Sequence, residues 1–277
     1  LEASSYQLQY SKLFHSNHAA ILNISPDHLE RHKNINNYIK TKSKIFFSQR
    51  KDDYVYINSE NKYFKIIKKI KNSKKIKSKL VLIKKSDCAH ILKSTNNKYF
   101  KSKGNIENLA FAYKIAKNLN INNKTIISAI NEFKGLSHRE EIIFSNKNLT
   151  CVNDSKATSF DACSQSLSNY KNIYWIVGGI PKQKDYFYLS NSLKKNIIHA
   201  FIIGKKASFF SKQLKDKVPF LLSGTLKKAV NSIFRSIKNN KSSNNTILLS
   251  PGGASFDQFK NFEDRGNQFK ALIKREF

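Results

Sequence analysis

Apolar and polar positions change rhythm several times along this chain. Residues 19–24 (Ala-Ala-Ile-Leu-Asn-Ile) and 54–58 (Tyr-Val-Tyr-Ile-Asn) are short apolar runs bounded by polar residues, a pattern that predicts buried strands. Between them, residues 35–47 keep a helical period, with Ile35, Tyr38, Ile39, Lys42, Ile45 and Phe46 near one face. Residues 61–85 interleave Lys with Ile, Leu and Val, and are expected to form irregular strands at a sheet edge, with the charge run as a solvated face. After Gly104, the positions Ile106, Leu109, Tyr113, Ala116 and Leu119 recur in helical steps, and a second helix is expected over about 123–134. Gly135 ends that pattern, and the domain boundary is placed there, giving residues 1–135 and 136–277. Beyond it, strands are predicted near 149–153, 172–178, 199–203, 219–222 and 246–250, with helices between them, the clearest running from Leu226 to Ile237. This alternation implies an α/β fold with a mostly parallel sheet and helices on both faces.

Composition bounds the possibilities without deciding among them. The chain has 277 residues, 40% of them hydrophobic and 12% aromatic, enough for two packed cores and contrary to global disorder. A net charge of +31 invites a nucleic-acid reading. Only six of the 50 basic residues are Arg, however, and Lys, Asn and Ile share AT-rich codons. The charge therefore reads as genome composition spread over the surface, and no specific nucleic acid is expected as a partner. No apolar run approaches the roughly 20 residues that span a bilayer. Cys88, Cys151 and Cys163 are widely spaced and read as free thiols of a reducing cytoplasm. The chain contains no Met and opens on Leu1, so it is read as a piece of a longer protein.

Candidate chemistry gathers in four stretches. The densest is Asn153-Asp154-Ser155-Lys156-Ala157-Thr158, which comes after an apolar run where a strand should end. A polar capped turn would also account for it. The others are Glu2-Ala3-Ser4-Ser5-Tyr6-Gln7, the segment from Asn23 through Ser25-Pro26-Asp27-His28 to Arg31, and the segment from Ser250-Pro251-Gly252-Gly253 through Ser255-Phe256-Asp257-Gln258-Phe259. With Gly178-Gly179 and the tail Phe259-Lys260-Asn261-Phe262-Glu263-Asp264-Arg265-Gly266, these resemble the Mur ligases of peptidoglycan synthesis nearly end to end. The Asp-Ser-Lys-Ala-Thr stretch and the Ser255–Phe262 tail are most similar to members that add D-glutamate.

That resemblance implies a fold, a reaction and a set of residue roles. The chain would be a truncated central ATPase-type domain followed by a Rossmann-like domain, acting as a cytoplasmic monomer. The reaction would be ATP-dependent amide formation: a carboxylate of UDP-N-acetylmuramoyl-L-alanine takes the γ-phosphoryl group, and the amine of D-glutamate displaces phosphate. Mg2+ would be bound by Glu2, His28 and a carbamylated Lys42. Ser4, Gln7 and Arg31 would lie near the muramoyl peptide, with Asp27 flanking His28. Asn105, Asn108, Arg139 and Asp154 would serve the nucleotide, and Lys156 would lie by phosphate or amino acid. Thr158, Lys182, Ser255 and the backbone around Phe256 and Phe262 would hold D-glutamate. Simpler roles remain open: Asp27 as a helix cap, His28 as a solvated turn residue, Arg139 in a salt bridge, and Lys40, Lys44 and Lys184 as competitors of Lys42 and Lys182. The family's glycine-rich phosphate loop ending Gly-Lys-Ser or Gly-Lys-Thr is not found in these residues, so the chain by itself is expected to be inactive. The competing readings are another Mur or folylpolyglutamate-type ligase, a basic nucleic-acid-binding protein, and a noncatalytic remnant.

Overall fold

The computed structural model describes residues 1–26, 28–182, 185–239 and 244–277, which divide into two compact units, Leu1–Lys134 and Gly135–Phe277. In the first unit, β1 (His18–Ile21), β2 (Tyr54–Asn58) and β3 (Lys79–Ile83) form a parallel sheet in that order, with Ala19 beside Val55 and Tyr56 beside Val81. Its helices are α1 (Ser5–Tyr10), α2 (Leu29–His32), α3 (Ile35–Ser43), α4 (Phe64–Ser73), α5 (Ala89–Lys93), α6 (Lys103–Asn118) and α7 (Asn123–Glu132).

The central strand shows why this sequence folds so. Val55, Tyr56 and Ile57 are all fully buried, and successive side chains point to opposite faces. Val55 and Ile57 join Ile39 of α3 and Ile67 of α4 in one core, while Tyr56 joins Leu109, Phe111 and Ile126 of α6 and α7 in the other. Side-chain caps start several helices: Asn34, Ser102 and Asn122 accept backbone N–H bonds from Asn37, Asn105 and Thr125 at 2.9, 3.2 and 2.9 Å. Each such cap is worth about 1 kcal/mol.

The segment 61–85 departs from the sequence expectation. It holds helix α4 where strands were expected, and then strand β3, which does lie at the edge of the sheet. Ile67 and Ile70 turn toward the sheet one helical step apart, while Lys71 donates its ammonium to the Ile76 carbonyl at 2.7 Å and closes the helix end. β-Branched residues favoured strands locally, and packing against the sheet overrode that preference.

The second unit carries β4 (Glu141–Ser145), β5 (Leu149–Asn153), α8 (Phe160–Asn169), β6 (Ile173–Gly178), α9 (Asn191–Asn196), β7 (Ile197–Ile203), α10 (Ala207–Leu214), β8 (Phe220–Gly224), α11 (Leu226–Asn239), β9 (Asn245–Leu249) and α12 (Phe262–Lys274). The strand order is β4-β5-β9-β6-β7-β8, parallel except for β4 against β5. Trp175 and Val177 of β6 pack with Cys163, Leu167, Phe210 and Leu214 from α8 and α10. Tyr174 and Ile176 pack with Val230, Ile233, Phe269 and Ile273 from α11 and α12. Helices thus cover both faces, which is why β6 is an unbroken apolar run. Strand β4 went unpredicted because it is a short, half-buried edge with a bulge between Ile142 and Phe144. All three cysteines are free and buried. Among the described residues no helix is long and apolar enough to cross a membrane.

Candidate active site

In the second unit, the chemistry-bearing loops leave the carboxyl ends of β5, β6 and β9, the edge where open α/β sheets collect ligand groups. Glycines let those loops touch. Gly178 has φ +142°, and a Cβ there would lie 1.9 Å from the Ile203 carbonyl oxygen. Gly179 has φ +111°, and its Cβ would lie 2.4 Å from the Ala254 oxygen. Ile180 and Ala254 then exchange both backbone hydrogen bonds at 2.8 Å, and the Gly252 N–H donates to the Ala157 carbonyl at 2.9 Å. The segments after β5, β6 and β9 are thereby joined. Thr158 follows the first junction by one residue, Ser255 follows Ala254 by one, and Lys182 follows Ile180 by two. Ser255 is buried, Thr158 and Lys182 are half-buried, and Phe256 is 71% exposed.

Helix α12 is fastened to the end of β5 by a residue that sequence reasoning passed over. Arg265 is fully buried, and its guanidinium donates to Ser155 Oγ at 3.0 Å, to the Ser155 carbonyl at 2.8 Å and to the Gly253 carbonyl at 3.0 Å. Burial lowers its pKa to about 10, which still leaves a cation at neutral pH. The Ser155 hydroxyl in turn donates to the Phe262 carbonyl at 2.8 Å. Asn153 Nδ2 lies 3.0 Å from His138 Nδ1 and donates to the Gly266 carbonyl at 3.2 Å. A Cβ on Gly266 would meet His138 Nδ1 at 2.2 Å. The carbonyl of Phe262, the first residue of α12, is therefore engaged internally, and its N–H belongs to the open first turn. Its ring lies 5.1 Å from Lys156 Nζ and edge-on to His138, so it is a support for the lysine rather than plain core.

Asp154 turns inward. Its carboxylate accepts from Ser166 at 2.6 Å, from Ser250 at 2.9 Å and from the Glu140 N–H at 3.3 Å. The Glu140 carboxylate lies 3.3 Å from the same Ser166 hydroxyl and accepts from Asn169 at 3.1 Å. Burial pushes the Asp154 carboxyl up to about 6, against the pull of its serine hydrogen bonds. Burial, then the charge of Asp154, raises Glu140 to about 7. Arg139, beside them, is exposed.

The first unit places its candidates near the surface. Glu2 is exposed. Ser4 and Gln7 form a capping box: Ser4 Oγ accepts from the Gln7 N–H at 3.2 Å and Gln7 Oε1 accepts from the Ser4 N–H at 2.8 Å. His28 precedes α2 with φ +53°, its Nδ1 lying 3.4 Å from the Tyr6 hydroxyl and 3.5 Å from Glu30. Arg31 donates to Gln9 at 3.2 Å and to the Tyr10 hydroxyl, and lies over the Tyr6 and Tyr10 rings. Helices α1 and α2 therefore bring Tyr6, His28 and Arg31 together. Lys42 Nζ sits 5.7 Å from the Tyr38 ring. Asn105 gives its amide to the Tyr99 carbonyl at 2.8 Å, while Asn108, one step along α6, is exposed. Asp27 and Lys184 lie outside the described residues. Among the described residues no three or more His, Cys, Asp or Glu side chains gather as a metal cluster.

Residues 1–131 match the Mur ligase middle domain. Over 297 residues the chain is 36% identical to the UDP-N-acetylmuramoylalanine–D-glutamate ligase of Rickettsia prowazekii (strain Madrid E), covering 100% of this chain and 65% of that protein. The chain belongs to the Mur ligase family. A Mur ligase of the same name from Thermosipho africanus is 36% identical over 99% of the chain and 61% of its own length. The chain thus spans just under two thirds of these curated relatives. Among solved Mur ligases, MurF from Acinetobacter baumannii superposes with a TM-score of 0.65 at 12% identity, over 93% of this chain and 60% of that one. MurF from Thermotoga maritima in complex with ADP gives 0.65 at 10%, over 94% and 63%. At such identities these two establish the shared α/β fold alone.

Proposed function

We propose that the protein carrying this chain is an ATP-dependent amide ligase that joins D-glutamate to UDP-N-acetylmuramoyl-L-alanine in the cytoplasm, as a monomer. The observation that carries this reading is 36% identity along the whole chain to a ligase named for that product. In the proposed reaction, an oxygen of the alanyl carboxylate forms a bond to the γ-phosphorus as the bond to ADP breaks. The D-glutamate amine then bonds to the acyl carbon, phosphate leaves, and the amine proton passes to solvent or a nearby base.

The welded loops of the second unit support the placing of D-glutamate there. The acid needs several donors for two carboxylates, and Thr158, Lys182, Ser255 and the Phe262 N–H supply a cation, two hydroxyls and a helix-start amide. The exposed Phe256 would cover the acceptor. Lys156, held over the Phe262 ring, would neutralise charge on the acyl phosphate. Arg139 would face nucleotide phosphate. Asp154 organises this loop through its three internal hydrogen bonds, and reaching a ribose would mean exchanging them.

In the first unit, Asn105 and Asn108 on α6 are assigned to the nucleotide, and Ser4, Gln7 and Arg31 to the muramoyl peptide. Mg2+ usually takes one or two protein carboxylates plus phosphate oxygens and water, not a dedicated cage. The exposed Glu2 carboxylate is a ligand of that type, and Glu2, His28 and a carbamylated Lys42 are the residues that would hold the ion. The bound ion would supply charge neutralisation to the phosphoryl groups.

The test is phosphate release by the protein at the length of its relatives, with each substrate omitted in turn. Release should require ATP, UDP-N-acetylmuramoyl-L-alanine and D-glutamate together. Equal release with a diamino acid or with a folate acceptor would assign the chain to another ligase of the superfamily.

A further inference from the structure

Residues 61–86 hold eleven of the chain's 50 basic residues and none of its 19 acidic ones. The codon bias that spreads lysine over the whole surface does not explain that local excess, because a longer acid-free stretch, residues 217–256, holds only six basic residues. The fold gives the excess a shape. On α4, Ile67 faces the core while Lys65, Lys68 and Lys69 lie on the opposite, exposed side within one helical face. Lys74, Lys75 and Lys77 continue the exposed array from the C-terminal end of α4 into the turn before β3. Among the described residues none of these six has a carboxylate within ion-pair distance. Lys71, the one buried lysine of the helix, is bonded to the Ile76 carbonyl and takes no part.

From this array we infer that the outer face of α4 docks the protein on an anionic lipid surface. The chemistry favours lipid over nucleic acid. The stretch has no Arg for bidentate phosphate or base contacts, and its rings, Tyr63 and Phe64, are half-buried and so offer no stacking platform. Six exposed, strongly hydrated ammonium groups, three of them on one face of α4 and three in the turn that follows it, suit a diffuse plane of phosphate headgroups, where each lysine adds roughly fivefold to partitioning. No helix long enough to cross the bilayer is needed, so the attachment is electrostatic and reversible.

Sedimentation of the full chain with phosphatidylcholine vesicles, with and without phosphatidylglycerol, tests this. Binding should need the anionic lipid and vanish at about 1 M salt, where the screening length is about 3 Å. The triple variant K65Q/K68Q/K69Q should lose roughly a hundredfold in partitioning, whereas K195Q/K212Q/K227Q, which removes three exposed lysines of the second unit, should lose fivefold or less. Thermal melts of both variants alongside the parent establish that they fold. Equal losses in the two triples would mean diffuse charge and overturn the proposal, as would no binding at all. Tighter binding to duplex DNA than to anionic vesicles at the same salt would overturn it in favour of a nucleic acid.

Discussion

The candidate groups of the two units are held in different ways. In the second unit, Ser155, Asn153 and Asp154 are buried and tied into hydrogen bonds that reach α8, α12 and the segment after β9. In the first, Glu2 and Asn108 are exposed, and His28 and Arg31 sit on or beside a four-residue helix against aromatic rings. On the proposed function, a pocket for a small diacid is built in advance in one unit. On the same reading, the other presents groups for metal, nucleotide and muramoyl peptide that settle when a ligand orders them. Preorganisation lowers the ordering cost of binding, and its absence shifts that cost to the ligand.

The sharpest way to break this contrast is at Arg265. Replacing it by Leu leaves Ser155 and Gly253 carbonyls without donors inside a packed region, and should cost the second unit about 3 kcal/mol or more in urea unfolding. The first unit's transition should stay put. A loss under about 1 kcal/mol would mean that the loops stand without the guanidinium. Arg265→Lys should recover only part, since one ammonium cannot reproduce the planar fork.

Acidity should separate the units next. Asp154 and Glu140 have folded pKa values raised to about 6 and about 7, so the folded state binds protons that the unfolded chain releases near pH 4. Their contribution is fully present below pH 4 and is lost as pH rises through about 7. The second unit should therefore weaken between about pH 4 and 7, by on the order of a few kcal/mol, and Asp154→Asn should flatten that slope. The first unit carries the opposite sign. Asp53, held below its ordinary range first by the Arg50 N–H and then by His15 and Asn17, adds stability above that range that disappears on acidification. Parallel pH slopes for both units in chemical denaturation would contradict this.

Smaller effects refine the picture. Gly266→Ala should cost about 1–3 kcal/mol through collision with the His138 ring. Phe262→Leu keeps apolar bulk but removes the face under Lys156, and should raise the KM for D-glutamate a few-fold with little change in folding. Ser4→Ala should lower stability by about 1 kcal/mol through the lost cap, visible only as fraying of α1 in hydrogen exchange.

Burial decides how much of this could be read from the chain. β6 and β9 announced themselves because every position is buried, which leaves an apolar run through β6 and an Ile-Leu-Leu run at the end of β9. β4, an edge with one half-buried face, gave no rhythm, and the lysines of α4 disguised a helix as interrupted strands. Motif residues such as Thr158 and Ser255 were picked out by resemblance, but which neighbours hold their loops was not legible. Arg265 sits in the quoted tail with nothing local to mark it, since its three acceptors lie 12 and 110 residues away. The Ser4–Gln7 capping box was visible as Ser-x-x-Gln and was read only as chemistry.

The two-way backbone exchange between Ile180 and Ala254, with glycines on either side, has a consequence for anyone altering which amino acid is accepted. Neither segment can be swapped alone, because a side chain introduced at the seam would strike the backbone of the other. Grafting specificity from a relative would mean transplanting both stretches as one piece, and evolution faces the same linkage: changes on one side of the seam are permitted or forbidden by what stands on the other.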